Sequence, residues 1–161
     1  WMLVARDAFN GVILWKKPMK KWHSHLWPLK SGPTQLARRL VAVKDRVYIT
    51  LGVDEPVSVL DAATGELIHE LPDSKGAEEI IVEGGQVGVL ASPEEWELNS
   101  FLPFHNTGDH ARIRRDFAWN KKKRDAKAYD SVTGHRIWGH NNKDAPLTMT
   151  ADEQRVFFHQ G

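Results

Sequence analysis

The sequence has no cysteine in 161 residues. Disulfide scaffolds, cysteine-based zinc sites, iron–sulfur ligation and thiol nucleophiles all need a thiolate, so each is excluded. Also missing is any apolar run approaching the roughly 18 residues of a membrane-spanning helix. The longest comparable stretch is broken by Asp45, Arg46 and Asp54. Neither sign of charge is in excess, since 22 Lys and Arg face 21 Asp and Glu. The chain therefore has no global field to draw it to nucleic acid or an anionic membrane, and any such binding must be local. Three catalytic signatures are lacking as well: a Gly-x-Ser-x-Gly elbow, a His-Glu-x-x-His helix and a dinucleotide fingerprint. Gly84-Gly85-Gln86-Val87-Gly88 does not supply the last of these, because strand-like sequence lies on both sides of it.

What is present is a composition of 41% hydrophobic and 27% charged residues, that of an ordinary globular domain. Trp is over-used, with seven against two Tyr. Large rings generally hold defined packing positions, and here some of them mark a repeat. Three segments share the frame Asp-x-x-[Thr/Asn]-Gly: Asp7 to Gly11, Asp61 to Gly65 and Asp130 to Gly134. Four residues after each Gly stands a ring, Trp15, His69 or Trp138, preceded by Leu14, Ile68 or Ile137. Each frame is accompanied by a second pattern, two β-rich runs around a polar turn: 40–49, 80–89 and 147–158. The turns are expected at Lys44-Asp45, Gly84-Gly85 and Asp152-Glu153.

Both patterns predict hairpins. In the first, the Asp carboxylate can accept backbone N–H groups two residues on, and the Gly supplies a positive φ. Two hairpins make a four-stranded unit whose sheet faces are buried only when neighbours stack on it. This is the arithmetic of a β-propeller blade. The period from Asp7 to Asp61 to Asp130 exceeds the roughly 40–50 residues of such blades, so two insertions are expected, at about 17–35 and 93–124. Strands are expected at 2–6 and 12–16; at 36–43, 46–51, 56–60 and 66–71; at 79–83, 86–91, 125–129 and 135–139; and at 146–150 and 154–159. Glu94, Glu95 and Glu97, primed by Ser92 and Pro93, predict one short helix.

The frame Ala-x-Asp-Ala-x-Thr-Gly-x-x-x-Trp, followed by an aliphatic run, a turn and Val-Tyr, resembles the repeat of quinoprotein (PQQ-like) β-propellers. Arg6-Asp7-Ala8-Phe9-Asn10-Gly11 with the following Leu14-Trp15-Lys16 resembles large bacterial multidomain members of that family. The resemblance implies an all-β fold over 1–161: a partial propeller of four-stranded antiparallel blades, about three of them, open rather than closed. It implies that Trp15 and Trp138 dock between adjacent blades, with Asp7, Gly11, Asp61, Gly65, Asp130 and Gly134 as structural residues of the repeat. His69 departs from the pattern and leaves the middle docking contact open. The partners expected are the remainder of the propeller and neighbouring domains of a parent protein, in an extracytoplasmic setting. No cofactor is expected. Family dehydrogenases hold PQQ over a Trp floor with calcium, and many cover it with a vicinal disulfide, which this chain cannot form. The leading expectation is a non-catalytic scaffold or docking module. A PQQ-dependent dehydrogenase fragment is the alternative.

The insertions hold the candidate ligand residues, since loops on a rigid scaffold are where binding side chains concentrate. The first carries Trp22, His23, His25 and Trp27, with Arg38 and Arg39 following in sequence. Two imidazoles at i and i+2 ligate one metal only from a turn, because on a strand they face opposite sides. No further ligand can be named, so no metal is expected. The second insertion carries Arg112, Arg114, Arg115, Lys121, Lys122, Lys123, Arg124 and Lys127 around Phe117 and Trp119, with only Asp116 and Asp125 opposing them. Such a mixture of cations and aromatic rings can bind single-stranded nucleic acid or another polyanion through 112–127. A solvated charged loop or a docking patch for an acidic partner is the reading favoured for it.

Overall fold

A computed structural model describes residues 1–20, 38–52, 55–93, 123–145 and 148–160. Every regular element among them is a strand, and all pair antiparallel. Strands β1 (Met2–Arg6) and β2 (Ile13–Pro18) form a hairpin. A four-stranded sheet follows in the order β3 (Leu40–Val43), β4 (Arg46–Thr50), β5 (Val57–Asp61), β6 (Leu67–Glu70). A second runs β7 (Ala77–Glu83), β8 (Gln86–Ala91), β9 (Arg124–Asp130), β10 (Arg136–Asn142). A short hairpin, β11 (Thr150–Ala151) and β12 (Val156–Phe157), ends the set.

The Asp-x-x-[Thr/Asn]-Gly frame builds the same loop three times. Asp61 Oδ1 accepts the N–H groups of Ala63 (2.9 Å) and Thr64 (2.8 Å) and the Thr64 hydroxyl (3.0 Å). Asp130 Oδ1 does the same for Val132 (2.9 Å), Thr133 (2.7 Å) and the Thr133 hydroxyl (2.9 Å). At Asp7 the carboxylate accepts from Phe9 and Asn10, and Asn10 takes the place of Thr by accepting the Val12 N–H. In each copy the Gly N–H donates to the Asp carbonyl, and the Gly sits at φ 74°, 74° or 72°. That backbone region favours glycine, so the frame ends on it. The backbone N–H and hydroxyl of Thr64 hold the Asp61 carboxyl below its usual range, and those of Thr133 do the same for Asp130.

The turns at Lys44-Asp45 and Gly84-Gly85 fall where the pattern predicts, closed by Val43 opposite Arg46 and Glu83 opposite Gln86. The third turn falls one residue later than predicted, on Glu153 and Gln154. Asp152 itself caps it, its carboxylate accepting the N–H groups of Gln154 and Arg155. The short helix expected from Glu94, Glu95 and Glu97 lies outside the described residues.

The core forms between sheets. Tyr48, Val57, Val59 and Leu71 of the first full sheet and its exit loop pack on Ile80, Val87, Val89 and Tyr129 of the second. Burying each of these aliphatic side chains contributes roughly 1.5–3 kcal/mol. Tyr129 is buried with its hydroxyl donating to the Pro72 carbonyl (2.8 Å), and burial pushes the phenol up to about 12. Val47, Ile49 and Leu60 face the other way, onto Leu3 and Trp15 of the first hairpin, while Leu90 and Ala126 face Val156 and Phe158 of the last. Successive units thus stack face to face.

Rings from one unit close on the loop of the next. Trp15 lies flat against Gly65, where a Cβ would stand 2.6 Å from the indole, and its Nε1 donates to the Ala62 carbonyl (2.9 Å). His69 takes the same place on Gly134, where a Cβ would stand 2.5 Å from Nε2. The departure from Trp therefore leaves the contact in place and changes its chemistry. Arg46 donates to the carbonyls of Ser131 and Val132, and Tyr48 donates to Ser131. Ser131 is the counterpart of Ala62, so the acceptor that an indole would use is already occupied.

Candidate functional site

Register puts the starts and ends of the strands that border both insertions on one side of the paired sheets. In the first full sheet, Leu40 lies opposite Ile49, Thr50 opposite Val57 and Ser58 opposite Glu70. In the second, Ala91 lies opposite both Ala77 and Asp125, and Asn142 opposite Arg124. Residues 21–37 rejoin the fold just before β3, and 94–122 leave after β8 and return at β9. The strand ends that border both insertions are therefore corresponding ends of the two sheets.

That edge is held by buried charge. Arg124 and Glu78 form an ion pair at 2.6 Å with side chains only 1% and 2% exposed. Glu79, with no exposed side-chain surface, accepts from Arg38 (3.2 Å) and from the Met149 backbone N–H (3.2 Å), which ties three units together. Adjacent strand residues normally point to opposite faces. Here the β7–β8 register slips between Ala77 and Glu79, and the irregularity re-aims Glu78 so that both carboxylates are buried. Asp144 is buried beside them, its carbonyl accepting from Arg124 Nη1 (3.3 Å), and Arg39 is buried as well. Asp144 Oδ2 lies 4.0 Å from His140 Nε2 and accepts no hydrogen bond among the described residues.

Two guanidinium groups, Arg38 and Arg124, thus meet two carboxylates, Glu79 and Glu78. A buried pair of this kind fixes geometry more than it adds stability, because desolvation offsets much of the attraction. Its effect is to hold the two insertion stems in a fixed relation.

Among the predicted site residues, Trp22, His23, His25 and Trp27 lie outside the described residues, as do Arg112, Arg114, Arg115, Lys121 and Lys122. Arg38 pairs with Glu79 from an exposed position, and Arg39 is buried. Within the basic stretch Lys123 is exposed, Arg124 is engaged by Glu78, and Lys127 donates to the Asp73 carbonyl (2.6 Å) and pairs with Asp125 (3.2 Å). Sequence reasoning missed Glu78, Glu79 and Asp144. Two acids opening an apolar strand were the available signal. Trp138, the third docking ring, packs near Val156 and Phe158 and meets no repeat glycine among the described residues. No group of three His, Asp or Glu side chains among the described residues has metal-binding geometry. Neither a family model nor a curated protein matches the chain.

Proposed function

We propose that the chain is a non-catalytic module of a PQQ-like β-propeller, its four-stranded sheets serving as blades and its insertion-bearing edge as a docking face. The observation that carries this reading is the interlock of units: the ring after one Asp-x-x-[Thr/Asn]-Gly loop closes on the glycine of the next, at Trp15–Gly65 and again at His69–Gly134. The buried cluster behind the insertion stems supports the docking role, since it supplies a rigid base and brings no reactive group to the surface. Engagement of Arg124 and Lys127 within the fold favours docking over polyanion binding through 112–127. The partners are then the strands that complete the open sheets and a protein or ligand that meets residues of the insertions.

A quinone and calcium titration tests the reading. With PQQ, calcium, an alcohol or sugar and a redox dye, the chain should give no cofactor-dependent dye reduction. Sustained turnover would replace the module with the dehydrogenase alternative.

A further inference from the structure

The two joints that set a ring on a repeat glycine share a shape and differ in chemistry. At the first, the Trp15 indole covers Gly65, and its one polar atom, Nε1, donates to the Ala62 carbonyl. At the second, His69 meets Gly134 with its Nε2 and Cδ2 edge, and Nε2 is buried without a hydrogen-bond partner. The carbonyl placed to serve it, that of Ser131, already accepts from Arg46 and Tyr48. Both contacts are internal to the chain.

A neutral imidazole suits the second joint because one of its two nitrogens carries no proton. With the proton on Nδ1, Nε2 presents only a lone pair to Gly134. A second proton would put an N–H and a full positive charge where no acceptor is in reach among the described residues, and a buried donor left unpaired is costly, a charged one most of all. The surrounding groups add to that cost. From the β4 turn comes Arg46, its guanidinium bound to the Ser131 and Val132 carbonyls and opposed by the exposed Asp45 at 3.9 Å. From the loop comes Asp130, whose Oδ1 is committed to Val132 and Thr133, with the exposed His135 just after the glycine. From β5 the residue opposite His69 is Val59, which offers no charge. Burial first, and the Arg46 charge second, hold the imidazole below the usual histidine value.

We infer that the joint between the two full sheets is a proton-sensitive latch: acid releases the His69 ring from Gly134, while the Trp15 ring stays on Gly65. The release is confined to the ring and the loop it covers. Tyr48, Val57 and Val59 stay packed on Ile80, Val87 and Tyr129, and Arg46 keeps its hold on the loop carbonyls. Linkage sets the direction. A released ring takes its proton near the ordinary value of about 6.5 and a docked ring only at lower pH, so docking is whole above about 6.5 and is lost as pH falls toward the docked value. One joint of the stack thus answers to pH and its neighbour does not. The latch rests on the ring contacts alone, and not on the docking role of the insertions.

Proton NMR reads both joints in the unsubstituted chain, so the result does not depend on a variant folding. The shift of the His69 Cε1 proton follows protonation, and nuclear Overhauser contacts between each ring and the α-protons of its glycine follow docking. On titration downward from neutral pH, the His69 contact with Gly134 should disappear in step with protonation of the ring, while the Trp15 contact with Gly65 persists through the same range. In the His69→Phe chain, whose ring takes no proton, the contact with Gly134 should persist there too. Three results would overturn the inference: a protonated His69 still in contact with Gly134, loss of both ring contacts in one step, or the same acid loss in the His69→Phe chain. None of them bears on dye reduction with quinone, so the two readings fail separately.

Discussion

The body of the molecule, β3 to β10, and its two end hairpins are made of the same repeat in different surroundings. In the body, Val57, Val59, Val87 and Val89 are fully buried, while in the first hairpin Met2, Val4, Val12, Ile13 and Leu14 are exposed. The loops do not share this difference: Asp7, Asp61 and Asp130 fold their loops with the same hydrogen bonds whether or not a ring covers the glycine. Loop geometry is therefore local, dictated by the Asp and Gly of the frame. Burial is a property of stacking, and a hairpin acquires it only from a neighbour.

The largest expected contrast lies at one repeat position, six residues before the loop Asp. In the second full sheet this residue is Arg124, buried against Glu78; in the first it is Glu55, paired with the largely exposed Lys20. Arg124→Met leaves the Glu78 carboxylate buried without its partner and should cost about 3–5 kcal/mol. Lys20→Met should cost at most about 1 kcal/mol, since exposed pairs contribute little. Denaturant melts of the two variants check this. Equal losses would mean that the buried pair is not what holds the edge.

Next in size is the effect of covering a glycine. Gly11→Ala and Gly65→Ala both place a Cβ at φ 74°, a backbone penalty of roughly 1–2 kcal/mol. Only Gly65→Ala also drives that Cβ into the Trp15 indole, adding about 1–3 kcal/mol of overpacking. Measured at low chain concentration, the difference between their melting curves gives the worth of docking alone.

The sequence revealed much of the body because its signals are local. The frame residues announce hairpins, and the strands expected at 46–51 and 86–91 match β4 and β8 within a residue. The turn near Asp152 was misplaced by one residue because Asp there acts as a cap, through a carboxylate that accepts two N–H groups. The site was far less legible. Glu78 and Glu79 read as the polar start of a strand, and nothing in a linear pattern shows that Arg124, distant in sequence, lies against one of them. The slip in register that buries both is a tertiary event.

The smallest expected effect distinguishes the two docking rings. Trp15 carries no titratable group, whereas His69 is held below its usual pKa, chiefly because burial disfavours the imidazolium and also because Arg46 lies near. With the folded value depressed, the unfolded chain binds the proton first as pH falls below about 6.5, and stability declines through that window. The contribution is whole above the unfolded value and is lost as pH drops through the folded one. Asp61 and Asp130, also depressed, act in the same direction but at lower pH, below the ordinary carboxylate range. A melt at pH 7.5 and again at pH 5.5 therefore isolates the histidine from the carboxylates, and His69→Trp isolates it from the other histidines. The variant should lose less melting temperature between the two pH values than the native chain does. It should not gain the full Trp15 contact, because Arg46 and Tyr48 already occupy the Ser131 carbonyl. An equal loss in both proteins would show that the His69 ring docks on Gly134 without its protonation state affecting the joint between the sheets.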